Sequence, residues 1–82
     1  MIRELKTFLA IARCGSFAAA GHRIGLTQSA VSAQIKNLEE ALGLRLFDRT
    51  GRSAYLNAAG LRALPLAEQI LETFSLMGRP ES

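Results

Sequence analysis

The segment GLTQSAVSAQIKNLEEAL, residues 25–42, combines a short turn with a helix that has one narrow apolar side. Gly25 can adopt the left-handed conformation that ends a preceding helix, and Thr27 is a favourable cap for the next one. The apolar positions of this helix are spaced by four, three and four residues: Val31, Ile35, Leu38 and Leu42. At 100° per residue these side chains cover a stripe only about 60° wide. The segment therefore predicts a helix over residues 28–42 that packs along one edge and leaves most of its circumference free.

Two shorter helices are predicted before this turn. In the first, four apolar residues follow the i, i+3, i+4, i+7 spacing of one helical face: Leu5, Phe8, Leu9 and Ala12. Gly15 is suited to end that helix, and Ser16 is suited to cap the next. The second helix repeats the spacing: Phe17, Ala20, Gly21 and Ile24. The expected core residues are Phe8, Phe17, Leu38 and Phe47.

A hairpin is predicted after the third helix. Residues 46–50 and 53–56 are short β-forming stretches on either side of Gly51-Arg52, where glycine accommodates the positive φ of a tight turn. This hairpin next to a helix-turn-helix is typical of a wing.

A long last helix is predicted over residues 58–77, with Asn57 as its cap. Pro65 lacks a backbone N–H and is expected to interrupt and bend this helix. The predicted fold class is therefore mainly α: a winged helix-turn-helix with a three-helix core and a two-stranded wing, plus a long C-terminal helix.

Composition and charge allow a small globular domain with an acidic partner. The 82 residues are 49% hydrophobic and 21% charged, and the formal net charge is +3. Residues 1–57 hold eight of the ten Lys and Arg but four of the seven Asp and Glu, so attraction for polyanions is concentrated there. No apolar run approaches the ~20 residues that cross a bilayer, and the N-terminus lacks the layout of a signal peptide. We expect no membrane partner and a cytoplasmic location.

The sequence offers no set of catalytic or metal-binding residues. Cys14 is the single cysteine and His22 the single histidine, and neither has neighbours at the spacing of a metal site. There is no Ser/His/acid arrangement and no phosphate-binding glycine loop. Glu39 and Glu40 adjoin on an open helix and do not converge. We expect no enzymatic activity, no metal and no cofactor.

The third helix carries residue types that read DNA. The major groove admits one α-helix, and short polar side chains at its start reach base edges. Gln28 offers a donor and an acceptor that match the N6/N7 edge of adenine, while Ser29 and Ser32 can bond to bases or phosphates. Thr27 and the first free amides of the helix direct a partial positive charge at a phosphate. Lys36, further along, is placed for the DNA backbone.

The predicted wing adds two cations. Arg49 and Arg52 lie beside Gly51 and are suited to a phosphate or to the narrow minor groove. An exposed ion pair with Asp48 is the alternative interpretation of these arginines.

Residues 2–77 resemble the N-terminal domain of LysR-type transcriptional regulators. The matching stretches are Phe8-Leu9 with Ala12, GSFAAA at 15–20, LTQSAVSAQI at 26–35, LEEALGLRLFDR at 38–49 and LNAAG at 56–60. The resemblance implies sequence-specific binding of double-stranded DNA by a domain at residues 1–57, with a recognition helix at 28–42 and a wing at 46–57. It also implies a linker helix at residues 58–77 that pairs two subunits. The last five residues, 78–82, are expected from their own composition to form a tail.

The expected interfaces follow from the residues and the resemblance together. The predicted DNA-binding residues are Ser16, Thr27, Gln28, Ser29, Ser32, Ala33, Lys36, Arg49, Arg52 and Ser53. The predicted homodimer residues are Leu66, Ile70, Phe74 and Met77, which run beyond the first three helices. Leu61 and Leu64 are expected to pack back on those helices instead.

Four positions depart from the family pattern. Ser29 stands where Pro is usual, Gly21 where Ala is usual, and Asn57 where Thr is common, although Asn and Thr both cap helices. Ala33 stands where Arg is frequent, so one cationic DNA contact is expected to be missing. Family members are also longer, with a C-terminal domain that binds a small-molecule effector. The chain is therefore expected to be an excised fragment or a truncated product, with tetramers forming only when that domain is present.

A helical protein–protein interaction module is the alternative function. The narrow apolar stripe of the third helix and the excess apolar surface of the last helix would suit it. An affinity that falls steeply with salt distinguishes DNA binding, because neutralised phosphates release counterions.

Overall fold

The computed structural model describes residues 1–50 and 53–78, without the side chains of Arg49 and Thr50. The elements in chain order are α1 (Ile2–Cys14), α2 (Phe17–Ile24), α3 (Gln28–Leu42), β1 (Phe47–Thr50), β2 (Ser53–Leu56) and α4 (Ala58–Met77). The predicted winged helix-turn-helix with a long C-terminal helix is confirmed. The predicted wing tip at Gly51-Arg52 and the tail beyond Gly78 lie outside the described residues.

Side-chain caps define the starts of three helices, as the sequence predicts. The Ser16 hydroxyl accepts a 3.0 Å hydrogen bond from the N–H of Ala19, and the Thr27 hydroxyl accepts one of 3.1 Å from the N–H of Ala30. Asn57 Oδ1 accepts one of 2.8 Å from the N–H of Gly60. These bonds satisfy amide groups that have no partner inside the helix.

The start of α1 is held by the buried carboxylate of Glu4. This group lies 3.2 Å from the Arg3 guanidinium and 3.6 Å from the amino group of Met1. A hydrogen bond from the backbone N–H of Glu4 is the main cause that lowers the pKa of its carboxyl. Burial opposes this effect, whereas Arg3 and the amino terminus add to it. The charged form of Glu4 is therefore favoured in the folded chain.

Three aromatic rings join the helices to the wing. The Phe47 ring at the start of β1 lies edge-on to Phe8 of α1, with centroids 5.5 Å apart, and to Phe17 of α2, 5.6 Å apart. Such pairs add about 0.5–1.5 kcal/mol each beyond the area they bury. Leu38 of α3 is also buried, so all four predicted core residues are confirmed.

The wing is an antiparallel hairpin fixed to the helices by backbone bonds. Phe47 pairs with Leu56 and Asp48 with Tyr55 across the two strands. The N–H of Ala54 donates to the carbonyl of Gly15 at 3.0 Å, which attaches β2 to the end of α1. The position of the wing relative to the helices is therefore set by hydrogen bonds as well as by packing.

A buried polar pair that the sequence did not reveal links α1 to α3. The Thr7 hydroxyl donates a hydrogen bond to the side-chain carbonyl of Gln34, and both residues are buried. A buried polar group without a partner is costly, so this pair favours one orientation of the two helices over others.

Three residues predicted to face the core are exposed. Leu42 is 50% exposed because it lies at the last turn of α3, beyond the elements against which that helix packs. Ile24 is 40% exposed at the last residue of α2. Leu61 is 61% exposed because α4 packs through a different face. The residues of that face are Gly60, Ala63, Leu64, Ala67 and Leu71.

Pro65 lies inside a single continuous helix. The expected interruption is wrong, because α4 runs without a break from Ala58 to Met77. Pro65 is exposed on this helix. A helix of 20 residues is about 30 Å long. Its last turns lie beside Ile2 at the start of α1, and Phe74 and Met77 there are 53% and 80% exposed.

Candidate nucleic-acid interface

The start of α3 is presented to solvent on the side opposite its core contacts. Thr27, Gln28 and Ser29 are exposed at its N-terminal end, and Ser32 is half-buried. The buried residues of the same helix are Val31, Gln34, Ile35 and Leu38. The helix therefore keeps a polar side free along its first turns, which is the side that the sequence assigns to DNA.

A close approach at Gly21 fixes the turn that sets the direction of α3. The N–H of Leu26 donates to the Gly21 carbonyl at 2.8 Å. A Cβ added at Gly21 would lie 2.6 Å from the Leu26 carbonyl oxygen and 3.2 Å from Val31 Cγ2. The glycine that departs from the family pattern thus permits a tight contact between α2 and the turn.

The N-terminus of α3 has free amide groups next to its cap. The Thr27 hydroxyl oxygen already accepts a hydrogen bond from the Ala30 N–H, and the Thr27 carbonyl accepts one of 3.0 Å from the Val31 N–H. The N–H groups of Gln28 and Ser29 precede the first intrahelical bond. They carry the positive end of the helix dipole, which favours an anion such as a phosphate.

A polar cleft separates the middle of α3 from the wing. We call it the wing cleft; its polar lining includes Ser32, Lys36, Glu39, Arg45 and Asp48. Ser32 and Lys36 are one turn apart on α3, so the structure brings two predicted DNA-binding residues into one cleft. Arg45 is an exposed cation that sequence reasoning missed, although it lies in the basic stretch between helix and wing.

The remaining predicted DNA-binding residues lie on separate elements. Ser16 is half-buried at the start of α2, and Ser53 is half-buried at the start of β2. Ala33 is exposed on α3. Arg49 belongs to β1, but its side chain is outside the described part of the chain, as is all of Arg52.

The predicted dimer residues lie together along α4. Leu66, Ile70, Phe74 and Met77 are 59%, 47%, 53% and 80% exposed. All four line one shallow apolar groove, to which Ile2 at the start of α1 also contributes. Sequence reasoning missed Ile2, because its contribution depends on how α1 packs beside α4. We call this surface the α4 groove.

Metal-ligand clusters and membrane-spanning helices were both sought among the described residues. Across residues 1–50 and 53–78, no three His, Cys, Asp or Glu side chains come together as metal ligands. Within the same ranges, none of the helices has the length and apolarity needed to span a bilayer.

In a comparison with known proteins, one family model matches residues 2–61 of the chain. The matching model is the bacterial regulatory helix-turn-helix protein, lysR family. The chain is 50% identical over 70 residues to an uncharacterized HTH-type transcriptional regulator of Azotobacter vinelandii. That match covers 85% of the chain and 49% of the relative, so the chain spans about half of that protein's length.

Two solved structures with DNA are similar to the whole fold. The CbnR_DBD–DNA complex matches with a TM-score of 0.92 and 38% identity, covering 95% of this chain and 90% of that one. The BenM_DBD/benA site 1 DNA complex matches with a TM-score of 0.86 and 31% identity, covering 94% and 90%. The family consists of DNA-binding regulators rather than enzymes, in agreement with the sequence. The chain therefore belongs to the lysR family of bacterial regulatory helix-turn-helix proteins, and it corresponds to their DNA-binding domain.

Proposed function

We propose that the chain binds double-stranded DNA sequence-specifically as a homodimer, as the DNA-binding part of a transcription regulator. In this proposal the start of α3 enters the major groove, and the wing contacts the backbone or the minor groove. The observation that carries the proposal is the free polar side of α3, with the exposed Gln28 at its N-terminal end.

The proposed contacts divide into two kinds. Gln28 and Ser29 reach base edges, because they open the recognition helix and project away from its buried stripe. Thr27 and Ser16 cap the two helix N-termini, and Lys36 supplies a cation, so these three position the protein on phosphates. The cations of the wing are likewise proposed to contact phosphates rather than bases.

Homodimerisation through α4 is proposed from the α4 groove. Its large apolar side chains stay in water in the single chain, and covering apolar surface stabilises by about 25 cal/mol per Å². Contiguous exposed apolar surface commonly marks an interface. Two copies related by a two-fold axis would cover both grooves and would present two recognition helices to one side of the DNA.

We expect the complete regulator to contain the C-terminal domain that the family resemblance implies. That domain would bind a small-molecule effector, and tetramers would form only in its presence. The match covers only 49% of the relative from Azotobacter vinelandii, which is consistent with additional sequence in such proteins.

Selection from a random DNA library, followed by titration of the selected site at several salt concentrations, tests the function. We expect an inverted repeat to be enriched, and an affinity that falls steeply with salt as counterions are released. A random duplex of the same length is the control, and it should bind at least about a thousandfold more weakly. Equal affinity for both duplexes, or no salt dependence, would reject sequence-specific DNA binding and favour the protein-interaction module.

A further inference from the structure

A second apolar surface, which shares no lining residue with the wing cleft or the α4 groove, lies where α1, α2 and α4 meet. Its floor includes Leu9 of α1, Ile24 of α2 and Leu71 of α4. Ile24 occupies a position that the helical spacing assigns to the core, yet 40% of it is exposed here. Leu71 is half-buried, so part of the floor is open to solvent. We call this surface the α1–α2 groove.

Cations line the edge of this floor. Lys6 and Arg13 come from α1 and Arg23 from the last turn of α2, and all three are exposed. Arg13 lies 3.9 Å from Glu68 of α4, so part of its charge is already compensated. Within residues 1–50 and 53–78, Lys6 and Arg23 take part in no ion pair. The groove therefore combines an apolar floor with two uncompensated positive charges.

We propose that the α1–α2 groove binds an acidic amphipathic helix of another protein. Lys6 and Arg13 are seven residues apart on α1, which corresponds to about 10 Å, or two helical turns. A helix that presents apolar residues at i, i+4 and i+7 can cover a floor of this length. Carboxylates beside those residues would then lie near Lys6 and Arg23, where charge complementarity fixes the orientation of the partner.

Two other occupants fit this surface less well. A DNA phosphate would gain from the cations but nothing from Leu9, Ile24 and Leu71. For a second copy of this chain, the larger apolar row available for self-pairing lies in the α4 groove. The proposal does not depend on the proposed DNA binding.

The probe for this proposal is a synthetic helical peptide of about 15 residues, with Leu at i, i+4 and i+7 and Glu at the flanking positions. A second peptide with Lys in place of every Glu is the matched control. Fluorescence anisotropy with the 82-residue chain measures affinity, and amide NMR shifts locate the site. We expect only the acidic peptide to bind, with shifts confined to α1, the end of α2 and the facing turn of α4.

Two substitutions test the cationic edge and the apolar floor of the groove separately. Arg23→Glu should weaken the acidic peptide about fivefold, and Ile24→Ala should weaken it by a similar factor. Arg62→Glu makes the same charge change at an exposed cation of α4 that does not line the groove, so it should alter the affinity less than twofold. Because Arg23 and Ile24 are exposed, thermal melting of each variant should match the parent chain.

Several results would overturn the proposal. The Lys peptide could bind as tightly as the acidic one, or Arg23→Glu and Arg62→Glu could weaken binding equally. The NMR shifts could instead centre on α3, or Arg23→Glu could change self-association without peptide. Loss of DNA affinity in Arg23→Glu beyond that in Arg62→Glu would assign the groove to DNA, and it would equally reject the peptide site.

Discussion

The backbone N–H of Leu46 donates a 2.7 Å hydrogen bond to the Glu39 carboxylate, which connects the proposed recognition helix directly to the entrance of the wing. Leu46 is fully buried, and its carbonyl accepts a 3.0 Å bond from the N–H of Asn57 at the exit of the wing. The Asn57 side-chain amide donates to the Arg45 carbonyl at 2.9 Å. Both ends of the hairpin are therefore anchored at one point beside α3.

Glu39→Ala is expected to destabilise the fold and loosen the wing. The substitution leaves the Leu46 N–H without its acceptor in a partly buried position, which costs about 1–3 kcal/mol. Urea unfolding measures the loss. Glu40→Ala is the matched control, because Glu40 is the exposed neighbour, and its effect should stay within about 0.5 kcal/mol. Equal effects of the two substitutions would contradict an anchoring role for Glu39.

Gly60→Ala is expected to be strongly destabilising. A Cβ at Gly60 would lie 2.2 Å from the Leu46 carbonyl oxygen and 2.8 Å from Leu56 Cδ2, so the backbone of α4 must move away from the wing. Overpacking of this kind costs about 1–3 kcal/mol. Gly78→Ala is the control, because its added methyl group meets only the Ser75 carbonyl at 3.9 Å. Thermal melting measures the midpoint of unfolding. If both substitutions lower this midpoint equally, the result would argue against the close contact.

Local features of the fold are predictable from the sequence because they depend on a few neighbouring residues. Ser16, Thr27 and Asn57 each cap a helix through an amide three residues later, as their types and positions indicate. The left-handed φ of 76° at Gly25 ends α2 at the expected place. These interactions are complete within four residues, so no knowledge of the tertiary fold is needed to find them.

Features that depend on distant parts of the chain are not predictable in this way. Periodicity gives the apolar face of a helix but not the point where its packing partner ends. The spacing therefore assigns Leu42 and Ile24 to a core that does not reach them. The contribution of Ile2 to the α4 groove depends on the packing of α1 beside α4. The Thr7–Gln34 bond joins residues 27 positions apart, and neither residue type indicates a buried partner.

The lowered pKa of Glu4 predicts a pH dependence of stability. A carboxyl whose pKa is lower in the folded chain than in the unfolded one stabilises the fold above its ordinary pKa. That contribution is lost as pH falls below about 4.5 through the lower folded pKa. The difference in unfolding free energy between the parent chain and Glu4→Gln should therefore be present at pH 7 and shrink towards pH 3. Glu72→Gln, at an exposed position of α4, is the control. A difference that stays constant from pH 7 to pH 3 would show that Glu4 does not act through its charge.

Gln28→Ala is expected to reduce sequence discrimination. If the side chain contacts a base, its removal should cost roughly 1–3 kcal/mol on the selected site and flatten the preference at one base pair. Asn37→Ala removes another exposed side chain from the same helix and serves as the control, with little expected change. Anisotropy titrations on the selected site and on random DNA provide the comparison. A loss of equal size on both duplexes would assign Gln28 to the DNA backbone.

Phe74→Glu is expected to disrupt the proposed homodimer. Phe74 is 53% exposed and lines the α4 groove together with Ile70 and Met77, so a partner chain seated in that groove would bury its ring. Aromatic side chains at the centre of an interface commonly contribute about 2 kcal/mol or more. The dimer dissociation constant should accordingly rise about thirtyfold.

Leu76→Glu is the matched control, because Leu76 is 54% exposed on the same helix but does not line the groove. Sedimentation of the free chain, and of its complex with an inverted-repeat duplex, measures both association states. We expect two parent chains per duplex, with half-sites about one helical turn or a multiple of it apart, because the two-fold axis sets the spacing of the recognition helices. The Leu76→Glu variant should retain this complex, whereas Phe74→Glu should give one chain per duplex with weaker binding. A two-chain complex that survives Phe74→Glu unchanged, or a parent chain that saturates the duplex at one copy, would mean that α4 does not pair the subunits.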